Sequence, residues 1–284
     1  MRLFVFGYGF SGRAAAKRLA ASGWTFTATF RNLETRAEIE ADGGRPLDLT
    51  DTCAVEAAAT AADAILITPP PGQEGCPGLT VLEHALETPG ANWLGYLSTT
   101  GVYGDRRGRW VTEASPLAAG FSEGQRRVAA EQRWLELGDR SGRSVTIFRL
   151  PGIYGPGRST LDRVREGRAR RIIAPAQVFS RIHVDDLAAG ISASISRPRP
   201  GGIYNLCDDE PAPNSDVVVY AAGLLGLEPP PPIALEDANL APAARRFYAE
   251  SKRVSNARAK AELGWRPDYP TYREGLTAIL QAGG

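Results

Sequence analysis

Cysteine is scarce. Cys53, Cys76 and Cys207 are the only three, widely spaced and without a CxxC pair. An odd, scattered set argues against a disulfide framework and offers no zinc-ligand spacing. A charge excess of one sign is also lacking. Lys+Arg 33 against Asp+Glu 32 leave a formal charge of +1, so no global field draws the chain to nucleic acid or an anionic membrane. No apolar run reaches the ~18 residues of a membrane-spanning helix. Met1–Phe6 is too short for the apolar stretch of a secretory signal and reads as a strand. These absences set the expectation of a cytoplasmic protein without a nucleic-acid, membrane or metal partner. The material for a core is present: hydrophobic residues are 43% of the 284 and charged residues 23%, an ordinary globular balance.

The apolar run LFVF within Arg2–Phe6 leads at once into Gly7-Tyr8-Gly9-Phe10-Ser11-Gly12, then into helix formers over Ala14–Ala21. Ser22-Gly23 stops that helix before a second strand, Trp24–Phe30. The alternation continues through a helix around Leu33–Glu40, a strand near Arg45–Leu47, a helix over Thr52–Ala62 and a strand at Ala64–Thr68. Helices at Leu79–Leu86 and Gln125–Leu137 precede the strands Trp93–Ser98 and Ser144–Arg149 in the same way or follow them. Strands alternating with helices of about 10–15 residues predict right-handed βαβ units and a parallel sheet covered on both faces.

After Pro151 the texture changes, with a Gly155-Pro156-Gly157 loop, a basic helix over Leu161–Gly167, a helix over Asp185–Ser196 and a strand at Ile203–Leu206. Pro229–Pro232 reads as an extended linker. Helices near Ser255–Leu263 and Tyr272–Leu280 follow. The predicted fold class is α/β, a Rossmann doubly wound parallel sheet with a smaller α+β substrate domain. Residues 1–155 form the dinucleotide-binding domain, which also receives parts of about 172–206, and 156–284 form the smaller, discontinuous one.

Gly7-x-Gly9-x-x-Gly12 sits between strand and helix, where its chemistry requires. The first glycine permits the turn, the second lets a pyrophosphate approach the backbone, and the third lets helix and strand pack. The helix N-terminus adds free N–H groups and a positive dipole. The end of the second strand then selects the cofactor. An acidic residue there would bind the ribose 2′-OH and repel a 2′-phosphate. Phe30-Arg31-Asn32 has no carboxylate before Glu34. Arg31 offers a charge-assisted fork to a 2′-phosphate, with Arg13 as its helper, so NADP is expected over NAD.

GYGFSG, PLDLTD at 46–51, LSTTGVYGD at 97–105, FRLPGIYGPGR at 148–158, RIHVDDLAAGI at 181–191 and IYNLCDD at 203–209 occur in that order. Together they resemble the NAD(P)-dependent epimerase/dehydratase branch of the extended short-chain dehydrogenase/reductase superfamily, over nearly the whole chain. The resemblance implies that Asp48 and Leu49 contact the adenine, and that Thr68 and Pro69 line the cofactor ribose. It also implies that Pro151 passes the nicotinamide, and that Thr99, in the polar strand end Ser98–Thr100, orients a substrate oxygen. Relatives of this kind often pair helices into homodimers.

The family's general acid/base is a Tyr with a Lys four residues later. Alignment on Ala129-Ala130-Glu131 places Glu123 and Arg127 there, and no Lys lies between Lys17 and Lys252. Glu123 and Arg127 are either a surface i,i+4 ion pair or a replacement base with its cation; Tyr103 is the nearest other phenol. Gly152 and Phe179 stand where nucleotide-sugar enzymes often carry an Asn and a phosphate-binding Arg. Arg163, Arg165, Arg168, Arg170 and Arg171 either replace such contacts or form a solvated helix face. His183 is expected to pack the second domain on the sheet, with Asp185 or Asp186 as N-cap of the next helix. Cys76 is expected in a loop. Two functions follow: an NADP-dependent oxidoreductase or epimerase-like protein acting on a small polar, sugar-like or carbonyl/hydroxyl substrate, or a non-catalytic NADP(H)-binding, redox-sensing protein.

Overall fold

Alternating local patterns become one sheet. In the computed structural model, which describes residues 1–87, 91–175 and 177–283, β1 (Arg2–Phe6), α1 (Phe10–Ala21), β2 (Thr25–Phe30), α2 (Leu33–Ala41), β3 (Arg45–Asp48), α3 (Thr52–Ala61) and β4 (Ala64–Ile67) follow one another. Next come α4 (Pro77–Leu86), β5 (Trp93–Thr99), a two-residue β6 (Trp110–Val111), α5 (Ser122–Ser141) and β7 (Ser144–Leu150). Side-chain caps start two of these helices: Asn32 accepts from the Thr35 N–H and Asp51 from that of Ala54.

The remaining chain forms β8 (Gly152–Tyr154), α6 (Thr160–Arg165), β9 (Arg171–Ile173), β10 (Arg181–His183), α7 (Val184–Ser196) and β11 (Gly202–Asn205). It ends with α8 (Asn214–Leu224), β12 (Pro232–Ala234), α9 (Pro242–Tyr248), β13 (Arg253–Val254), α10 (Ala257–Leu263) and α11 (Tyr272–Gln281).

Seven strands form the sheet in the order β11-β7-β5-β4-β1-β2-β3, every pairing parallel. The chain moves outward from β1 to β3, then crosses back to β4 on the other side of β1. That reversal opens a crevice beyond the C-terminal ends of β1 and β4, where ligands bind in open α/β sheets. Side-chain alternation builds both faces. Leu3 and Val5 pack with α1 and α7 residues such as Leu19 and Leu187, whereas Phe4 and Phe6 pack with Val55, Leu79 and Trp134. Covered on two sides, β4 and β7 are buried at every residue.

Two local expectations change. Helix α8 has no clear sequence signal, because its Val217-Val218-Val219 run is β-branched. Burial of Val217, Ala221 and Ala222 against Leu161 and Leu276 overrides that preference. The proline tract does not remain a linker to its end: Pro232–Ala234 pairs in parallel with β9, an edge position that tolerates a missing N–H. Among the described residues no helix is long and apolar enough to cross a membrane.

Candidate functional site

The glycine turn is held from below. The Gly7 N–H donates to Thr29 Oγ1 at 2.8 Å, and Thr68 Oγ1 donates to the Gly7 carbonyl at 2.7 Å. Gly7 has φ +94°, and a Cβ there would lie 2.7 Å from Thr68 Oγ1; one at Gly12 would lie 2.6 Å from the Gly7 carbonyl. These two glycines are required by the fold itself. Gly9 differs: a Cβ there would meet nothing within 4 Å, so the missing side chain leaves open space over the start of α1. No side chain caps that helix, so N–H groups of its first turn lack a side-chain acceptor. A backbone cradle at a positive helix end fits the pyrophosphate of a dinucleotide.

The cradle opens into a cavity of about 570 Å³ lined by Gly7–Gly12, Arg31, Leu49, Thr68, Pro69, Ser98, Thr99 and Pro151. Tyr8, Phe10 and Ser11 reach it within the turn, although the Tyr8 ring is buried and stacks on Phe26 at 5.8 Å. Arg31 is exposed at the β2 end and makes no ion pair or hydrogen bond among the described residues. Arg13 is no helper to it. Its guanidinium lies 2.5 Å from Asp42 and 2.9 Å from Glu38, the first capping the C-terminus of α2 and the second on it. Asp48 is not among the residues lining the cavity; its carboxylate accepts from the Thr50 N–H and hydroxyl, and these bonds hold its pKa low.

Ser98 is buried and donates to Glu131. Thr99 Oγ1 accepts from the Gly101 N–H at 3.1 Å, which leaves its own proton for another acceptor. Thr99, Arg127, Leu150 and Pro151 also line a second chamber of about 640 Å³. Its other walls include Phe121, Val178, Phe179, Ser180 and Phe247, together with Glu123, Arg246, Glu250 and Lys252.

The residues expected to move a proton are placed differently from expectation. Glu123 lies 2.6 Å from Arg246 on α9, and Arg127 donates to the Leu97 carbonyl and stands over the Tyr96 ring. The Glu123–Arg127 surface pair does not form, because each has a better partner from another element. Tyr103 is fully buried, donates to Asn205 at 2.8 Å and accepts from Arg149 at 3.1 Å. Burial raises its pKa, and it faces neither chamber.

Three further expectations are corrected. His183, not an aspartate, caps α7, its Nδ1 accepting from the Asp185 N–H at 3.3 Å. Asp186 is buried and accepts from the backbone N–H groups of Asp268 and Tyr269; burial pushes its pKa up to about 6. Cys76 is buried at the N-cap position of α4 rather than in an open loop. The arginine run is not one helix face, since α6 ends at Arg165. Arg163, Arg168 and Arg170 line an adjoining cavity of about 620 Å³ with Arg158 and Arg181, which shares Phe179, Ser180 and Phe247 with the second chamber.

Sequence reasoning missed Lys252, Glu250 and Arg246, which reach the chamber from far along the chain and carry no local motif. It also missed the buried Glu131–Arg149 pair beneath Ser98; a charged residue inside the apolar strand SVTIFRL was the one available signal.

Residues 78–207 match the sequence model of the NAD dependent epimerase/dehydratase family. The chain is 30% identical to Protein YeeZ of Escherichia coli (strain K12), over 95% of this chain and 96% of that protein. It is 32% identical, over 55% of this chain, to a 3-diazoavenalumate denitrifying reductase of Streptomyces sp; that match spans only 53% of the reductase. A solved structure of a functionally unknown conserved protein from Silicibacter pomeroyi DSS superposes with a TM-score of 0.90 at 43% identity, covering 99% of both chains.

Proposed function

Because the chain belongs to the NAD-dependent epimerase/dehydratase family, we propose that it is an NADP(H)-dependent oxidoreductase acting on a carbonyl or hydroxyl group of a small polar substrate. The observation that carries this reading is the open cradle at Gly9 leading into a cavity that shares Thr99 and Pro151 with a second chamber. Residues 1–155, with parts of 172–206, would hold the cofactor, and 156–284 would close over the substrate.

In this reading the α1 N-terminus and the glycine turn bind the pyrophosphate, Leu49 packs on the adenine, and Arg31 pairs with the 2′-phosphate. Bound NADPH supplies the hydride. Thr99 directs its free hydroxyl proton at the substrate oxygen and fixes the reacting carbon near Pro151. The partial likeness to a denitrifying reductase supports reduction over epimerisation.

Calorimetric titration of the wild type and Arg31→Ala with NADPH and NADH tests the reading. A charge-assisted contact is worth about 1.5–3 kcal/mol, so Arg31→Ala should weaken NADPH binding by about 10- to 100-fold and leave NADH nearly unchanged. Tighter NADH binding by the wild type would overturn the NADP assignment; no binding of either would sink the oxidoreductase.

One observation favours a non-catalytic NADP(H) sensor instead: Glu123 and Arg127 are both committed to other partners. Such a sensor requires different conformations with NADPH and NADP⁺. Identical hydrogen-exchange protection with the two would remove it.

A further inference from the structure

The second chamber needs a group able to give a proton to the substrate oxygen, and its walls narrow the choice. No Tyr, His or Cys is among them. Arg127 and Arg246 are guanidiniums that do not release protons near neutrality. Glu123 and Glu250 are carboxylates paired with cations. The hydroxyls of Thr99, Thr100 and Ser180 can orient an oxygen but are poor acids. One ammonium group is left, that of Lys252.

Lys252 is well held. Its side chain is 11% exposed, and Nζ lies 2.5 Å from Glu250 Oε2, itself on a side chain 14% exposed. The segment that carries it is clamped on both sides. The Ser251 N–H donates to Asp105 at 2.9 Å, the Val254 N–H to Ser180 Oγ at 3.1 Å, and Gln177 to the Glu250 carbonyl at 2.7 Å. β13 then pairs with β6, Arg253 opposite Trp110. A long, flexible side chain is thereby fixed at its base and at its tip, the condition for a precise proton donor.

We propose that Lys252 is the proton donor of the substrate chamber and that Glu250 is its positioning residue. The inference rests on the oxidoreductase reading above. As the carbonyl carbon accepts hydride from NADPH, the C=O π pair moves onto oxygen, which takes a proton from the Lys252 ammonium. The resulting amine regains a proton from water. The balance is carbonyl plus NADPH plus H⁺ giving alcohol plus NADP⁺. In the oxidising direction the neutral amine takes the hydroxyl proton.

The chain has only three lysines, Lys17, Lys252 and Lys260, so reductive ¹³C-methylation of the full protein yields three side-chain signals. Lys252→Arg removes one and assigns it. Saturating NADP⁺ should shift the Lys252 signal and leave those of Lys17 and Lys260 in place, and Glu250→Gln should move it in the free protein. A Lys252 signal that ignores NADP⁺ while calorimetry shows the cofactor bound overturns the proposal. NADP⁺ failing to bind at all would sink the underlying oxidoreductase reading instead.

Turnover is then read with NADPH and a panel of aromatic and aliphatic aldehydes and ketones. Lys252→Met should lower kcat by about 100-fold or more, the usual worth of an acid catalyst, with NADPH affinity unchanged. Lys252→Arg keeps the charge without the labile proton and should be equally slow. Recovery by arginine would reduce Lys252 to a charge and overturn its role as donor. Oxidation of NADPH by no member of the panel counts against the reductase reading itself.

Discussion

The Arg149 guanidinium on β7 meets the Glu131 carboxylate on α5 at 2.8 Å, with both side chains 3% exposed. Arg149 Nε also lies 3.2 Å from the same oxygen, and Ser98 donates to the other one. Arg149 continues to the Tyr103 hydroxyl. The pair thus ties α5, β5 and β7 together at Ser98, the residue next to Thr99. A buried pair satisfied on this many sides positions its neighbours, even where its net contribution to stability is small.

Removing one partner leaves the other charged and unpaired in the core. Glu131→Ala or Arg149→Ala should therefore lower the unfolding free energy by about 3–5 kcal/mol. The double variant should recover part of that loss. Urea denaturation of all four proteins checks this, and strictly additive losses would show that the two groups do not depend on each other.

Gly9 and Gly12 separate binding from folding. Gly9→Ala meets no protein atom within 4 Å, so its melting temperature should stay near the wild type while NADPH affinity falls. Gly12→Ala pushes a methyl to 2.6 Å from the Gly7 carbonyl and should cost about 1–3 kcal/mol of stability, as overpacking does. Paired thermal melts and calorimetry read both effects. Unchanged NADPH affinity in Gly9→Ala would remove the pyrophosphate from this cradle.

Tyr103→Phe distinguishes a structural phenol from an acid/base. The hydroxyl bridges Asn205 and Arg149 in the interior, so its loss should cost about 1–3 kcal/mol by leaving buried groups unpaired. NADPH affinity and turnover should not change. A large fall in kcat with stability retained would return Tyr103 to the reaction.

Asp186 predicts a pH effect of defined sign. Burial raises its pKa from the ordinary 3.8 to about 6, so the folded state favours the protonated acid. Its contribution to stability is complete below 3.8 and is lost as pH rises through about 6. Wild type should lose stability relative to Asp186→Asn across that window, by up to about 1.4 kcal/mol per pH unit. Denaturation of both proteins at several pH values reads the difference, and parallel curves would contradict the shift.

The sequence by itself determined the frame. The apolar runs, the helix-stopping Ser22-Gly23 and the turn Gly7–Gly12 specify β1, α1 and β2, because strand period, helix capping and glycine dihedral freedom are all local properties. The doubly wound sheet follows from repeating that unit, and a likeness spread over most of the chain follows from its ordered motifs. Only the tertiary structure decided what each polar side chain does. Glu123 and Arg127 are correctly spaced to meet, yet Arg246 and the Leu97 carbonyl, distant in sequence, take them instead. Arg13 reads as a phosphate ligand until α2 delivers Asp42. Tyr103 follows Gly101 in a 3₁₀ turn that directs it into the core. Lys252 has no motif around it, and enters the chamber because β13 pairs with β6 at a separation no local pattern encodes. Backbone conformation is set by neighbouring residues, whereas the partner of a charge is whichever opposite group the folded chain brings within reach.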